Sequence, residues 1–289
     1  MSPAIPLLSP NDIEGVRRAG VIVEDAIRAG AAAATPGATT LAIDHAVRAV
    51  LANAGAEALF LGYAPGGASP FPASCCVSVN EEVVHGVPGA RSLRAGDLVS
   101  IDVGARALGW CADAGVSVVV SGGDPGPHAE GALRLVRATR ALIDLAVSRA
   151  RPGVRWSAVG AAMEAQARSA GYGIVTDFVG HGVGRELHQP PKVPAYATGF
   201  TGEDFVLEAG MVLAVEPILT APIFGDGPGG RPGRRDGWAT PVALGADGWT
   251  VATRTGEWAC HEEWVIGVTP EGCAVLTASL GGLWRGGGL

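Results

Sequence analysis

A chain of 289 residues can hold two average domains or one large α/β or α+β domain, and its 44 glycines and 20 prolines, without a collagen-like period, mark a globular protein with many turns. The net charge is −7 and Lys192 is the only lysine among 21 basic residues, which excludes the clustered basic surface that nucleic-acid binding requires. Five cysteines without C-x-x-C spacing exclude a disulfide framework and a zinc knuckle, and with neither a signal peptide nor an apolar run of about 20 residues the expectation is a cytoplasmic protein that does not enter a membrane.

Ser9, Pro10 and Asp12 form a helix start: a capping hydroxyl, proline at the first helical position and an acid in the first turn. Ile13, Val16, Val23 and Ile27 continue it as an apolar stripe. A second helix follows in "TTLAIDHAVRAVLANAG", with Thr40 as the cap, Leu41, Val47, Val50 and Leu51 as the apolar face and Gly55 as the stop. Strand-like runs then occupy 74–79, 97–104 and 109–121.

The last two runs form the hairpin "SIDVGARALGWCADAGVSVVV", with one aspartate in each arm. A turn between Ala107 and Leu108 would bring Asp102 directly opposite Asp113, on one face of the pair. Like charges so placed repel, so something positive should lie between them.

The same order returns in the second half. Helices are expected in "HAEGALRLVRATRALIDLAVSRA" and "RPGVRWSAVGAAMEAQARSAG", and strands at 173–179, 211–219, 249–254 and 258–269. A shift of 116 residues aligns Pro36-Gly37 with Pro152-Gly153 and Ala54-Gly55 with Ala170-Gly171. We read two similar helix-helix-strand halves in an α+β fold, forming one curved antiparallel sheet with helices on its outer face and a cleft on its open side. The knot of Arg231, Arg234 and Arg235 in "GDGPGGRPGRRDG" reads as a solvated loop.

Three further polar residues stand in apolar surroundings. His181 follows a strand and lies between glycines, whose small size would let the backbone approach a ligand. Glu216 in "GMVLAVEPILT" and Glu263 in "WACHEEWVIGVTPEG" are embedded in apolar strands with no lysine and little arginine nearby. Each alone has an ordinary explanation, as a turn, solvent-facing or hydrogen-bonded residue. Four carboxylates and one imidazole in or beside apolar strands instead suit divalent ions such as Mn²⁺, Fe²⁺ or Co²⁺, and the set is large enough for two.

By the segments "SVNEEVVHGVPG", "SIDVG" with Asp113 eleven residues after its aspartate, "GHGVGRELHQPPKVP", "LAVEPIL" and "EWVIGVT", the chain resembles the type I methionine aminopeptidases of the pita-bread fold. The resemblance implies five metal ligands, Asp102, Asp113, His181, Glu216 and Glu263, holding two divalent ions (Co²⁺, Mn²⁺, Fe²⁺ or Zn²⁺), with Asp113 and Glu263 bridging. Glu263 takes the ligand place over Glu262 because it stands six residues before Thr269. His85 and His188 fall where the family contacts substrate and stabilises the oxyanion, and Glu216 where it shuttles a proton. Tyr63, Phe71, Cys76, Leu187 and Trp249 fall around the methionine side chain, Trp238 being the weaker alternative to Trp249.

The chain departs from the family pattern at Val84, Leu187, Gln189 and Trp264, where a cysteine, an aromatic, an acid and a histidine are usual. Leu187 is expected to soften side-chain preference. The implied activity is removal of the N-terminal methionine from nascent polypeptides whose second residue is small, by a monomer that meets the ribosome and binds neither nucleic acid nor membrane. Residues 1–35 would be an arm and first helix, and 36–289 the pita-bread catalytic body of a single domain. The competing readings are a proline-specific aminopeptidase of the same fold and a non-catalytic peptide-binding relative.

Overall fold

A computed structural model describes residues 4–124, 126, 128–198, 204–221 and 239–277. The arginine knot and Trp238 lie outside the described residues. In chain order the elements are α1 (Pro10–Ala33), α2 (Thr40–Asn53), β1 (Glu57–Ala58), β2 (Cys76–Val79), β3 (Glu82–Val84), β4 (Leu98–Ala107) and β5 (Trp110–Val119). The second half follows with α3 (Ala129–Arg149), α4 (Trp156–Ser169), β6 (Gly173–Ile174), β7 (Gly180–Gly182), β8 (Gln189–Val193), β9 (Val212–Val215) and β10 (Ile218–Ala221). It ends with β11 (Val242–Leu244), β12 (Val251–Thr253), β13 (Trp258–His261), β14 (Trp264–Thr269) and β15 (Gly272–Val275).

Helix α1 starts where its signals stand. Ser9 Oγ accepts from the Asp12 amide at 3.3 Å and Asp12 Oδ2 accepts from the Ser9 amide at 3.1 Å, a capping box that satisfies two otherwise orphaned donors. Its buried face, Val16, Ala19, Val23, Ala26 and Ile27, packs on α2, β4 and β5. Helix α2 corrects the expected cap by one residue. Thr39 is the cap, accepting from the Ala42 amide, while Thr40 turns inward and accepts from the Gly89 amide at 2.8 Å. The buried stripe is Ile43, Val47 and Leu51, spaced i, i+4, i+8; Leu41 is 41% exposed and Val50 half-buried. Burying each such side chain stabilises by about 1.5–3 kcal/mol.

The repeat is carried by the backbone. Helices α2 and α4, and strands β1 and β6, have matching bounds under the 116-residue shift. The stops Gly55 and Gly171 both take the left-handed conformation, with φ of 63° and 80°. Each half has its own core: α1 and α2 against β2, β4 and β5, and α3 and α4 against β9, β10 and β14.

Every pair of named strands is antiparallel, and the pairings divide into four sheets. The 211–219 run splits into β9 and β10 around Glu216-Pro217, and the 258–269 run into β13 and β14 around Glu262-Glu263. Proline offers no N–H to the ladder, and Glu263 turns both backbone groups to Gly115 of β5, tying the two halves together. The 173–179 run keeps only two residues as strand, and the short β3, β7, β8 and β15 had no distinct sequence signal.

The β4–β5 register corrects the expected hairpin. Ala107 pairs with Trp110, so the turn is Leu108-Gly109, with φ of 54° and 77°. That is a two-residue loop with both residues at positive φ, as a type I′ turn requires; Gly109 adopts it without strain and Leu108 stands 77% exposed. Asp102 therefore faces Gly115, and Asp113 faces Gly104. The displacement is two positions on one strand, so both acids still project to the same face, as diagonal neighbours.

Candidate metal centre and active-site cavity

Cross-strand register assembles the site as two adjacent rows on that face. In the first row Asp102 opposes Gly115, Gly115 bridges Glu263, and Glu216 lies level with Glu263, because the pairs Val215↔Trp264 and Ile218↔His261 keep one register across the break. Two residues along β5 from Gly115 is Asp113, in the second row; His181 joins that row from β7, beside the Gly182↔Leu213 pair. Asp102, Asp113 and Glu263 bring ligand atoms within 4.8 Å of one another, as do His181, Glu216 and Glu263. His181 Nε2 lies 3.7 Å from both Asp113 Oδ2 and Glu263 Oε1.

The flanking glycines have another purpose than the one expected. A Cβ on Gly180 would strike the Ala214 carbonyl oxygen, and one on Gly182 the Pro190 carbonyl oxygen. They let β7 lie tightly against β9 and β8, which is what carries His181 to the carboxylates.

The donor set fits divalent cations. Asp102 Oδ1, Asp113 Oδ1 and Glu263 Oε1 are buried with no hydrogen-bond partner, and among the described residues no lysine or arginine pairs with these acids. Burial, reinforced by the neighbouring acids, pushes Asp102 and Glu263 well above the usual carboxylate range, and burial raises Asp113 to about 6. Uncompensated acids in a buried cluster are costly, and hard or borderline dications relieve that cost through oxygen ligands. Glu262, by contrast, accepts from the Ser117 amide at 3.1 Å and pairs with Arg140 at 3.3 Å, away from the cavity. Trp264 likewise lies off the site face, its ring under the Arg140 guanidinium.

The rows floor a cavity of about 300 Å³ whose lining includes Tyr63, Phe71, Cys76, His85, His188 and Trp249 with the five acid and histidine positions. Trp249 is fixed locally, its amide and that of Thr250 both donating to Asp247 Oδ1, and its indole donating to the Ser69 carbonyl at 2.9 Å. Phe71 meets it edge-on at 5.2 Å. His188 stands 4.4 Å from the His181 ring, with Tyr63 Oη 3.4 Å from its Nδ1; burial holds its pKa down to about 4. His85 is presented on a left-handed backbone, φ 57°, uncommon for a residue with a side chain and frequent at functional sites. Burial also lowers its pKa.

One expected wall is displaced. Leu187 does not line the cavity; it packs behind it with Phe60, Phe71 and Cys76, against Gly104. Phe60 lines the cavity beside Tyr63, Phe71 and Trp249, and sequence reasoning passed it over together with Phe178 and His261. Phe178 carried a signal in hindsight, three residues before His181; His261 carried one in preceding the two glutamates.

The model of metallopeptidase family M24 matches residues 14–250 of the sequence. The chain belongs to metallopeptidase family M24. Among M24 relatives it is 36% identical to methionine aminopeptidase 1 of Mycobacterium tuberculosis, covering 94% of this chain and 95% of that one, and 34% identical to the methionine aminopeptidase of Aquifex aeolicus, covering 95% and 99%. The crystal structure of methionine aminopeptidase from Thermotoga maritima superposes with a TM-score of 0.80 at 36% identity, over 95% of this chain and 99% of that one. The prolidase of Pyrococcus horikoshii shares the fold, with a TM-score of 0.68 at 22% identity; 94% of this chain corresponds to only 63% of that one. The architecture of this M24 chain is the pita-bread α+β fold, and membership implies use of divalent metal. No helix among its described residues is long and apolar enough to cross a membrane.

Proposed function

We propose that this chain is a metal-dependent methionine aminopeptidase, hydrolysing the first peptide bond of polypeptides that begin with methionine followed by a small residue. The observation that carries the reading is the pair of rows, Asp102, Glu263 and Glu216 beside Asp113 and His181, opening directly into a cavity walled by Tyr63, Phe71 and Trp249. Full-length likeness to methionine aminopeptidases supports it. Asp102, Asp113, His181, Glu216 and Glu263 would hold two divalent ions, Co²⁺, Mn²⁺, Fe²⁺ or Zn²⁺.

Such ions, when bound, polarise a carbonyl and acidify a water. The chain's own groups do the rest. Burial works to raise the Glu216 carboxyl, but the His261 imidazole, with His181 and His85, holds it below its ordinary value, so it stays ionised and can carry a proton from the attacking water to the leaving amine. His188 and His85, neutral at neutral pH, act as hydrogen-bond donors toward the developing oxyanion. Tyr63, Phe71, Cys76, Phe60 and Trp249 would receive the flexible thioether chain, whose polarisable sulfur suits aromatic edges.

Residues 1–35 are proposed to belong to the same single domain, and the protein to act as a cytoplasmic monomer on chains leaving the ribosome. The deciding experiment compares Met-Ala-Ser, Leu-Ala-Ser and X-Pro peptides before and after chelation, with Mn²⁺ or Co²⁺ added back. Cleavage of Met-Ala-Ser that chelation abolishes and metal restores is the expected result. Full activity in protein shown by elemental analysis to be metal-free, or preference for X-Pro peptides, would overturn the reading.

A further inference from the structure

His261 closes β13 at the cavity, opposite Ile218 and two residues before Glu263. It is 3% exposed, and its Nε2 has no hydrogen-bond partner in good geometry. That atom points at the carboxylates, 3.5 Å from Glu216 Oε2 and 3.7 Å from Glu263 Oε2. The main chain fixes the ring: the His261 carbonyl accepts from Ser117 Oγ at 2.8 Å and its amide donates to Ser100 Oγ at 3.4 Å. Gly115 packs against the ring, where a Cβ would touch His261 Cε1 and Nδ1 at 3.4 Å and a bulkier side chain would displace it.

Resting on the metal-dependent reading above, we infer that His261 is a positioning residue for the metal centre, donating from Nε2–H to Glu216 and holding that carboxylate with one oxygen free for an ion. A buried N–H without a partner is costly, and the nearest acceptors are the two glutamates, so the proton has one productive direction. Direct ligation fits less well. The groupings whose ligand atoms converge, among the described residues, draw on Asp102, Asp113, His181, His188, Glu216 and Glu263, and none includes His261. It flanks the first row, where an outer hydrogen bond to a ligating carboxylate is what orients it.

The test compares the parent with H261A, H261L and H261Q. Leucine keeps the volume and removes the donor, which guards against a cavity that unfolds the alanine variant; glutamine restores an N–H donor. Calorimetric Mn²⁺ and Co²⁺ titrations, the visible spectrum of the Co²⁺-loaded protein and kcat and KM on Met-Ala-Ser are the readouts. H261A and H261L should bind metal about 10–100-fold more weakly, with kcat falling more than KM rises, and H261Q should regain most of both losses with the parent's Co²⁺ spectrum. Parent-like affinity in both donor-free variants overturns the inference. So does a Co²⁺ spectrum that changes in H261Q without recovery of affinity, the result for a direct ligand. A parent that binds neither ion refutes the metal reading itself, and is recognised by being the same in all four proteins.

Discussion

Gly115 and Glu263 exchange both backbone hydrogen bonds, N–H to O at 3.0 and 2.9 Å, and among the links between the two halves, the β3–β12 pairing being another, this reciprocal pair lies in the middle of the acid cluster. Through it Asp102, contributed by the first half, enters one row with Glu263 and Glu216 from the second. A Cβ at Gly115 would just touch Glu263 Cβ and the His261 ring, at 3.4 Å, and a larger side chain would press on both. Gly115→Ala should therefore be tolerated with a small loss, whereas Gly115→Val should destabilise by about 1–3 kcal/mol and weaken metal binding. Urea unfolding of the metal-free proteins, with a Mn²⁺ titration of each, checks both; a valine variant with parental stability and affinity would show that the bridge does not set the row.

Metal removal should lower thermal stability as well as activity, because the ions bind the folded chain and relieve the buried acids. At a free metal concentration of 100 times Kd the stabilisation is about 2.7 kcal/mol. The midpoint should rise with Mn²⁺ concentration in the parent and barely at all in Asp102→Asn. Metal-free Asp102→Asn should be no less stable than the metal-free parent, since an amide replaces a carboxyl that burial and Asp113 disfavour as an anion. A clear loss of stability in that variant, without metal, would contradict the crowding of the acids.

The metal-free protein should also show a diagnostic pH dependence. Burial raises Asp113 to about 6 in the folded chain, against about 4 when unfolded. Between those values the folded state holds a proton that the unfolded state has lost, so the stabilising contribution is complete below about pH 4 and disappears as pH rises through about 6. The loss is at most about 3 kcal/mol. Asp113→Asn lacks this titration, so its stability relative to the parent, in chelator, should increase from pH 4 to pH 7. A pH-independent difference would mean that Asp113 ionises normally in the cluster.

Side-chain preference should depend on Phe60 more than on Leu187. Phe60 lines the cavity, whereas Leu187 packs behind it against Gly104. Phe60→Ala should lower the ratio of kcat/KM for Met-Ala-Ser over Leu-Ala-Ser by several-fold, within the roughly 1–3 kcal/mol that an apolar pocket can use to separate such side chains. Leu187→Phe should leave the ratio near the parent value and cost about 1–3 kcal/mol of stability by overpacking. The reverse pattern, a sharpened ratio in Leu187→Phe with Phe60→Ala neutral, would return Leu187 to the pocket wall.

The sequence by itself determined what local chemistry can determine. The helix start at Ser9, the stops at Gly55 and Gly171 and the 116-residue repeat depend on contacts within a few residues, and they stand in the structure where they read; the cap of α2 lies one residue earlier, and its buried stripe takes Ile43 in place of the exposed Leu41 and half-buried Val50. Carboxylates within apolar strands were also legible, because an unpaired buried acid is improbable without a cation. Tertiary structure alone decided how those residues meet. The hairpin register hung on which two residues take positive φ, the alignment of Glu216 with Glu263 on a ladder interrupted at Pro217, and the joining of halves on Gly115. His261 and Phe60 became part of the site only when strands and loops far apart in the chain were brought together. Apart from the hairpins, the pairings that build the site join segments far apart in the chain, such as Gly115 and Glu263 or Val215 and Trp264, and no pattern local to either segment encodes its partner.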